Sequence, residues 1–165
     1  MAWSRLTQLR EVVSLDGMLC PAMPEELVPE DWKHNVHADY ETTHFRSLEY
    51  LRRRLAGVTG LNFLAILREP STAELAGLAL PKFVFVGFDL LDVHGDVSAL
   101  TNCGGFDEVF APEELNPLGL LNERARARAV RRGLRNTYPD QHHAICDVWA
   151  LWRWAGEATA GATPG

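Results

Sequence analysis

Cysteine is scarce in this chain. Cys20, Cys103 and Cys146 are the whole complement, and they are scattered. Three such thiols cannot build the paired framework that staples small secreted domains, so free thiols in a cytoplasmic protein are the expectation. No apolar run reaches the roughly 18 residues that a membrane-spanning helix needs, which argues against a membrane partner. The opening residues are mixed and carry Arg5, Arg10 and Glu11, a pattern unlike a secretory leader. Internal repeats are absent, and no spacing fits a phosphate loop, a closed metal site or a nucleophile–base–acid triad.

What is present suits one globular domain. The chain has 165 residues, 47% of them hydrophobic and 23% charged, an ordinary composition for a single core. The domain is expected over 1–154. The tail 155–165, AGEATAGATPG, offers nothing large to bury and reads as disordered. The net charge of -6 argues against non-specific nucleic-acid binding by the whole molecule.

The chain is organised around the stretch from Phe83 to Phe106, which reads as a β-hairpin. Val84, Val86, Phe88 and Leu90 fall on one face of its first strand, and Phe83, Phe85 and Leu91 on the other. A strand with one wet face alternates apolar and polar residues. This one does not, so it is expected at the centre of a sheet with both faces covered. His94-Gly95 supplies a tight turn, a half-polar return strand covers 96–101, and Gly104-Gly105 ends it.

Before the hairpin, Val12 to Leu15 reads as a short strand, and 21–44 as a long surface loop. That loop holds Pro21, Pro24 and Pro29, and its six acids against the lone Lys33 give a net charge of -5. Phe45, Leu48, Leu51 and Leu55 recur at helical spacing within a helix over 40–56, and 61–67 is a second strand apolar on both faces. A helical turn is expected at 72–76. Beyond the hairpin, Pro112-Glu113-Glu114 reads as a helix first turn. Asn122 is the expected cap of a helix running to Thr137, and 144–154 is the last strand.

The resulting order is β-α-β-β-β-α-β. It describes an α+β fold with a mostly antiparallel mixed sheet of about five strands and two principal helices. Three strands that are apolar on both faces demand cover on both sides, and two helices on one side leave the other bare.

Four groups of residues compete as sites. Glu25, Glu26, Glu30 and Asp31, with Trp32 and Tyr40 as large anchors among the charges, make the acidic loop the expected surface for a protein partner. Arg124, Arg128, Arg131 and Arg135, spaced by 4, 3 and 4, share one face of the 122–137 helix opposite the apolar stripe Ala127, Val130 and Leu134. They read either as an ion-paired solvated face or as an anion-binding one. No aromatic residue interleaves them, which weakens a single-stranded nucleic-acid reading. Cys103, beside Gly104-Gly105, is a candidate nucleophile without an evident base. His34-x-x-His37 and His143-x-x-Cys146 each offer half a zinc site and no more, so neither metal nor cofactor is expected. Trp149, Trp152 and Trp154 read as core or interface filler.

The expectation that follows is a small acidic cytoplasmic protein-binding protein. It would be of the bacterial immunity or inhibitor type, neutralising a partner protein by occlusion, with a homodimer as a further form of association. The alternatives are a small cysteine-dependent enzyme using Cys103, and an anion- or nucleic-acid-binding module using the arginine helix.

Overall fold

In a computed structural model of the chain, residues 64–92, 98–101, 106–141 and 144–155 are described. The expected strand at 12–15, the acidic loop, the 40–56 helix, the His94-Gly95 turn, residues 102–105 and the tail after Ala155 lie outside these residues.

The described elements run β1 (Leu64–Arg68), α1 (Thr72–Gly77), β2 (Phe83–Asp92), a 3-10 turn (Pro112–Glu114), α2 (Arg124–Thr137) and β3 (Cys146–Trp154). The fold is α+β, with two helices and an antiparallel three-stranded sheet of order β1-β3-β2. The registers are Leu64↔Arg153 to Arg68↔Trp149 on one side of β3, and Phe83↔Trp154 to Asp92↔Cys146 on the other. The expected number of five strands is not reached among the described residues.

Among the described residues the centre of the sheet is β3, where the expectation put β2. Both strands are apolar on both faces, so composition does not rank them; pairing does. Among the described residues the outer edge of β2 is met only locally. Phe88 and Leu121 exchange backbone hydrogen bonds of 2.7 and 2.9 Å, and Leu91 bridges Ser98. Of the return strand expected over 96–101, residues 98–101 are described, and they form that bridge at Ser98 and a turn at 99–101. The cause is local. Ser98 Oγ donates to Asp89 Oδ1 at 2.6 Å and accepts from Leu100 N at 3.1 Å, which bends the chain away from the ladder.

Both sheet faces are covered, as the doubly apolar strands require. On one, Phe88, Leu90, Val148, Ala150 and Trp152 pack with Ala127, Val130 and Leu134, the predicted apolar stripe of α2. On the other lie Leu64, Leu91, Trp149 and Leu151, with Leu120 and Leu118 from the loop after the 3-10 turn. Asn116 shapes that loop: its Oδ1 accepts from Leu118 N and Leu120 N, and its Nδ2 donates to Val86 O at 2.9 Å. Opposite it sits Gly87, at φ 141°, in an irregularity of the β2–β3 register between Phe85 and Gly87. A Cβ on Gly87 would lie 2.7 Å from Leu120 Cβ and 2.9 Å from Leu121 O.

The helices start and stop for identifiable reasons. Ser71 and Glu74 close a capping box on α1. The cap of α2 is Glu123, without a side-chain cap bond, rather than Asn122. The carboxamide oxygen of Asn122 instead accepts from Asn116 Nδ2 at 3.1 Å. At the other end Tyr138 N donates to Leu134 O, and Pro139 prevents continuation.

Candidate functional site

The four arginines predicted to share a face do so, and α2 lays that face along the end of the sheet where β1 finishes and β3 begins. Two carboxylates receive it. Glu69 follows β1 at φ 48°, a left-handed conformation that turns the chain before Pro70. Its N–H donates to Val148 O at 2.7 Å, and its own Oε1 accepts from Val148 N at 2.7 Å. The side chain thus extends the β1–β3 ladder by one position. Arg131 donates to the same Oε1, and Arg128 forms an ion pair with Oε2 at 3.9 Å.

Asp147, the second residue of β3, is the other receiver. Arg68 donates to its Oδ2 through Nε at 2.9 Å and Nη2 at 2.5 Å. Arg135 and Arg131 approach Oδ1 at 3.4 and 3.7 Å, and Arg135 also donates to Cys146 O at 2.7 Å. Arg131 therefore stands between the two carboxylates. At the start of α2, Arg124 Nη1 donates to Thr72 Oγ1 at 2.5 Å. Arg126, off this face, is held by Glu114, which draws that carboxyl below the usual carboxylate range.

A second surface lies at the opposite end of the sheet. Val84 is 56% exposed and Phe85 41%. Phe85 packs edge-on against Phe88 and Trp152, with ring centroids 5.1 and 5.5 Å away. Phe83 meets Trp154 in the same manner at 5.1 Å, and Lys82 Nζ lies 5.8 Å from the Trp154 ring. Large apolar groups thus remain exposed where β2 is the outer strand among the described residues, beside the cations Lys82 and Arg153. Trp149 and Trp152 are buried in the two cores, on opposite faces of β3.

Two buried titratable groups lie elsewhere in the sheet. Asp89 is 7% exposed, and burial pushes its carboxyl up to about 6 against the opposing hydrogen bonds from Ser98 Oγ and Leu90 N. Burial also pushes the Cys146 thiol up to about 12, which leaves it protonated and unreactive at neutral pH. Iodoacetamide at pH 8 is expected to label Cys146 only after unfolding in guanidinium; peptide mapping that finds it labelled in the folded protein would contradict this.

Several residues singled out in the sequence lie outside the described residues: Glu25, Glu26, Glu30, Asp31, Trp32, Tyr40, Cys103, His34, His37 and His143. Among the described residues no three His, Cys, Asp or Glu side chains gather as a metal site, and no helix is long and apolar enough to cross a membrane. Sequence reasoning missed Glu69 and Asp147, the partners of the arginine face. The first falls just past the strand expected over 61–67, and the second within the one expected over 144–154. Their acidity amid apolar neighbours was the only available signal.

No family model matches the chain, and no curated protein or solved structure is similar to it.

Proposed function

We propose that the chain is a cytoplasmic binding protein that neutralises a partner protein by occluding it. The observation that carries this reading is the open, apolar edge of β2. Among the described residues no strand pairs with Phe83–Phe85 on the outer side, and Val84 and Phe85 stand exposed there. An exposed apolar edge is a template for an added strand. Backbone hydrogen bonds then supply affinity, and alternate side chains supply selectivity. Phe85, backed by Trp152 and Phe88, has the character of an aromatic anchor. Lys82 and Arg153 beside it favour a partner segment that is extended, apolar and flanked by acids. The acidic loop, with Glu25, Glu26, Glu30, Asp31, Trp32 and Tyr40, remains a second proposed contact, one that accelerates association with a basic region of the same partner.

The test starts from affinity capture in the native host and proceeds to kinetics with the recovered protein. Val84→Lys places a charge on the edge at a site that buries little, so the melting temperature is expected to hold while affinity falls at least about tenfold, chiefly through faster dissociation. Replacing Glu25, Glu26, Glu30 and Asp31 by their amides is expected to slow association and flatten its salt dependence. Unaltered affinity in Val84→Lys would remove the edge from the interface. Concentration-dependent dimerisation abolished by Val84→Lys would assign the edge to a second copy of the chain instead.

A further inference from the structure

We infer that the arginine face of α2 is a binding site for a small ligand bearing a phosphoryl group. The inference is independent of the binding-protein reading, and it starts from donors without acceptors. The Nε atoms of Arg124, Arg128 and Arg131 are shielded from water and have no hydrogen-bond partner among the described residues. Buried donors are nearly always satisfied, so three on one helical face mark it as incompletely paired. The carboxylates already there accept from other atoms: Glu69 Oε1 from Val148 N and Arg131, Asp147 Oδ2 from Arg68 and Asp147 Oδ1 from Arg135, while Glu69 Oε2 stands 3.9 Å from Arg128. Arg128 makes no hydrogen bond among the described residues, only the 3.9 Å ion pair, and its side chain is 39% exposed. Arg124 makes one hydrogen bond, to Thr72 Oγ1.

Charge favours the same ligand. Among the described residues Arg68, Arg128, Arg131 and Arg135 surround Glu69 and Asp147, an excess of two positive charges, and Arg124 lies one turn away with Glu74 near it. Guanidinium groups one helical turn apart repel, and a multiply charged anion between them relieves that repulsion. The groups are also held in place. Arg131 is fixed by Glu69, Arg135 by Cys146 O and Arg124 by Thr72, so little side-chain ordering remains to oppose binding. A guanidinium fork matches phosphate oxygens in pairs, and the three terminal oxygens of a phosphoryl group match donors that do not lie on one line. A long polyanion fits less well: the chain carries a net charge of -6 and no aromatic residue lies between the arginines.

The probe is inorganic pyrophosphate, titrated calorimetrically into the full chain at fixed ionic strength in chloride, beside a thermal melt. Saturable one-to-one binding is expected, with a melting temperature that rises with pyrophosphate concentration as linkage requires. Arg124→Gln and Arg128→Gln should each weaken it at least about tenfold, whereas Arg132→Gln, exposed and outside this face, should leave it unchanged. Arg128 contributes one long ion pair to the fold, so Arg128→Gln should melt like the parent without ligand. No heat at millimolar pyrophosphate would overturn the inference, as would equal binding by Arg128→Gln. So would a single-stranded oligonucleotide that binds more tightly than pyrophosphate, which would make the face a nucleic-acid surface.

Discussion

Gly87→Ala should unfold a large share of the protein's stability, by about 3 kcal/mol or more. Two costs add. At φ 141° the backbone sits where an L side chain is strained by about 1–3 kcal/mol. The new methyl would also meet Leu120 Cβ at 2.7 Å and Leu121 O at 2.9 Å. Leu121 cannot retreat freely, because it shares two backbone hydrogen bonds with Phe88, and Asn116 pins the preceding loop to Val86 O. Urea unfolding followed by tryptophan fluorescence measures the loss. A change below about 1 kcal/mol would show that the loop gives way, and that its docking onto β2 is weaker than these contacts indicate.

Asp89→Asn carries the second large effect, and its sign depends on pH. The Asp89 carboxyl rises from 3.8 to about 6 in the fold, so between these values the folded state holds a proton that the unfolded chain has released. Stability attributable to this residue is therefore full below about pH 4, declines as pH rises to 6, and stays reduced above. A shift of about two units corresponds to roughly 3 kcal/mol at most. Asparagine keeps an oxygen for Ser98 and Leu90 N and has no charge to bury. Relative to the parent, Asp89→Asn should gain stability by up to that amount between pH 4 and 7, with the gain complete above pH 7. Glu114 acts in the opposite sense: its lowered carboxyl contributes stability that is lost as pH falls below about 4.5, and it does so equally in both proteins. Parallel stability curves for the two proteins across this window would show that Asp89 is solvated in the fold.

The sequence made α2 legible almost to the residue. A helix with one buried stripe writes its 3.6-residue period directly into the chain, so the stripe of Ala127, Val130 and Leu134 is legible, whereas the arginines lie beside that stripe, against the end of the sheet, rather than opposite it. The helix cap was not legible, because Asn122 was drawn into a bond with Asn116 that no local rule anticipates. Sheet order was equally hidden. β2 and β3 share the composition of a covered strand, and which one is central depends on pairings formed across the chain. The partners of the arginine face failed for the same reason, since Glu69 lies 62 residues from Arg131 and 79 from Val148. The doubly apolar strands did report correctly that both sheet faces are covered, because burial on two sides leaves no room for polar alternation.

The order β1-β3-β2 also has a consequence for the chain as it is synthesised. β1 and β2 do not pair with each other; each waits for Cys146–Trp154. At roughly 5–20 residues per second, the stretch from Asp92 to Trp154 takes several seconds to emerge. During that time Phe83–Leu91 and Leu64–Leu67 are apolar ribbons that lack β3, open to chaperones or to neighbouring nascent chains. The arginine helix emerges ahead of β3, and its two acidic anchors, Glu69 and Asp147, lie on either side of it in the chain. Only the second completes the cluster, so the ion-pair network and the sheet close in one late step, set by the last strand to arrive.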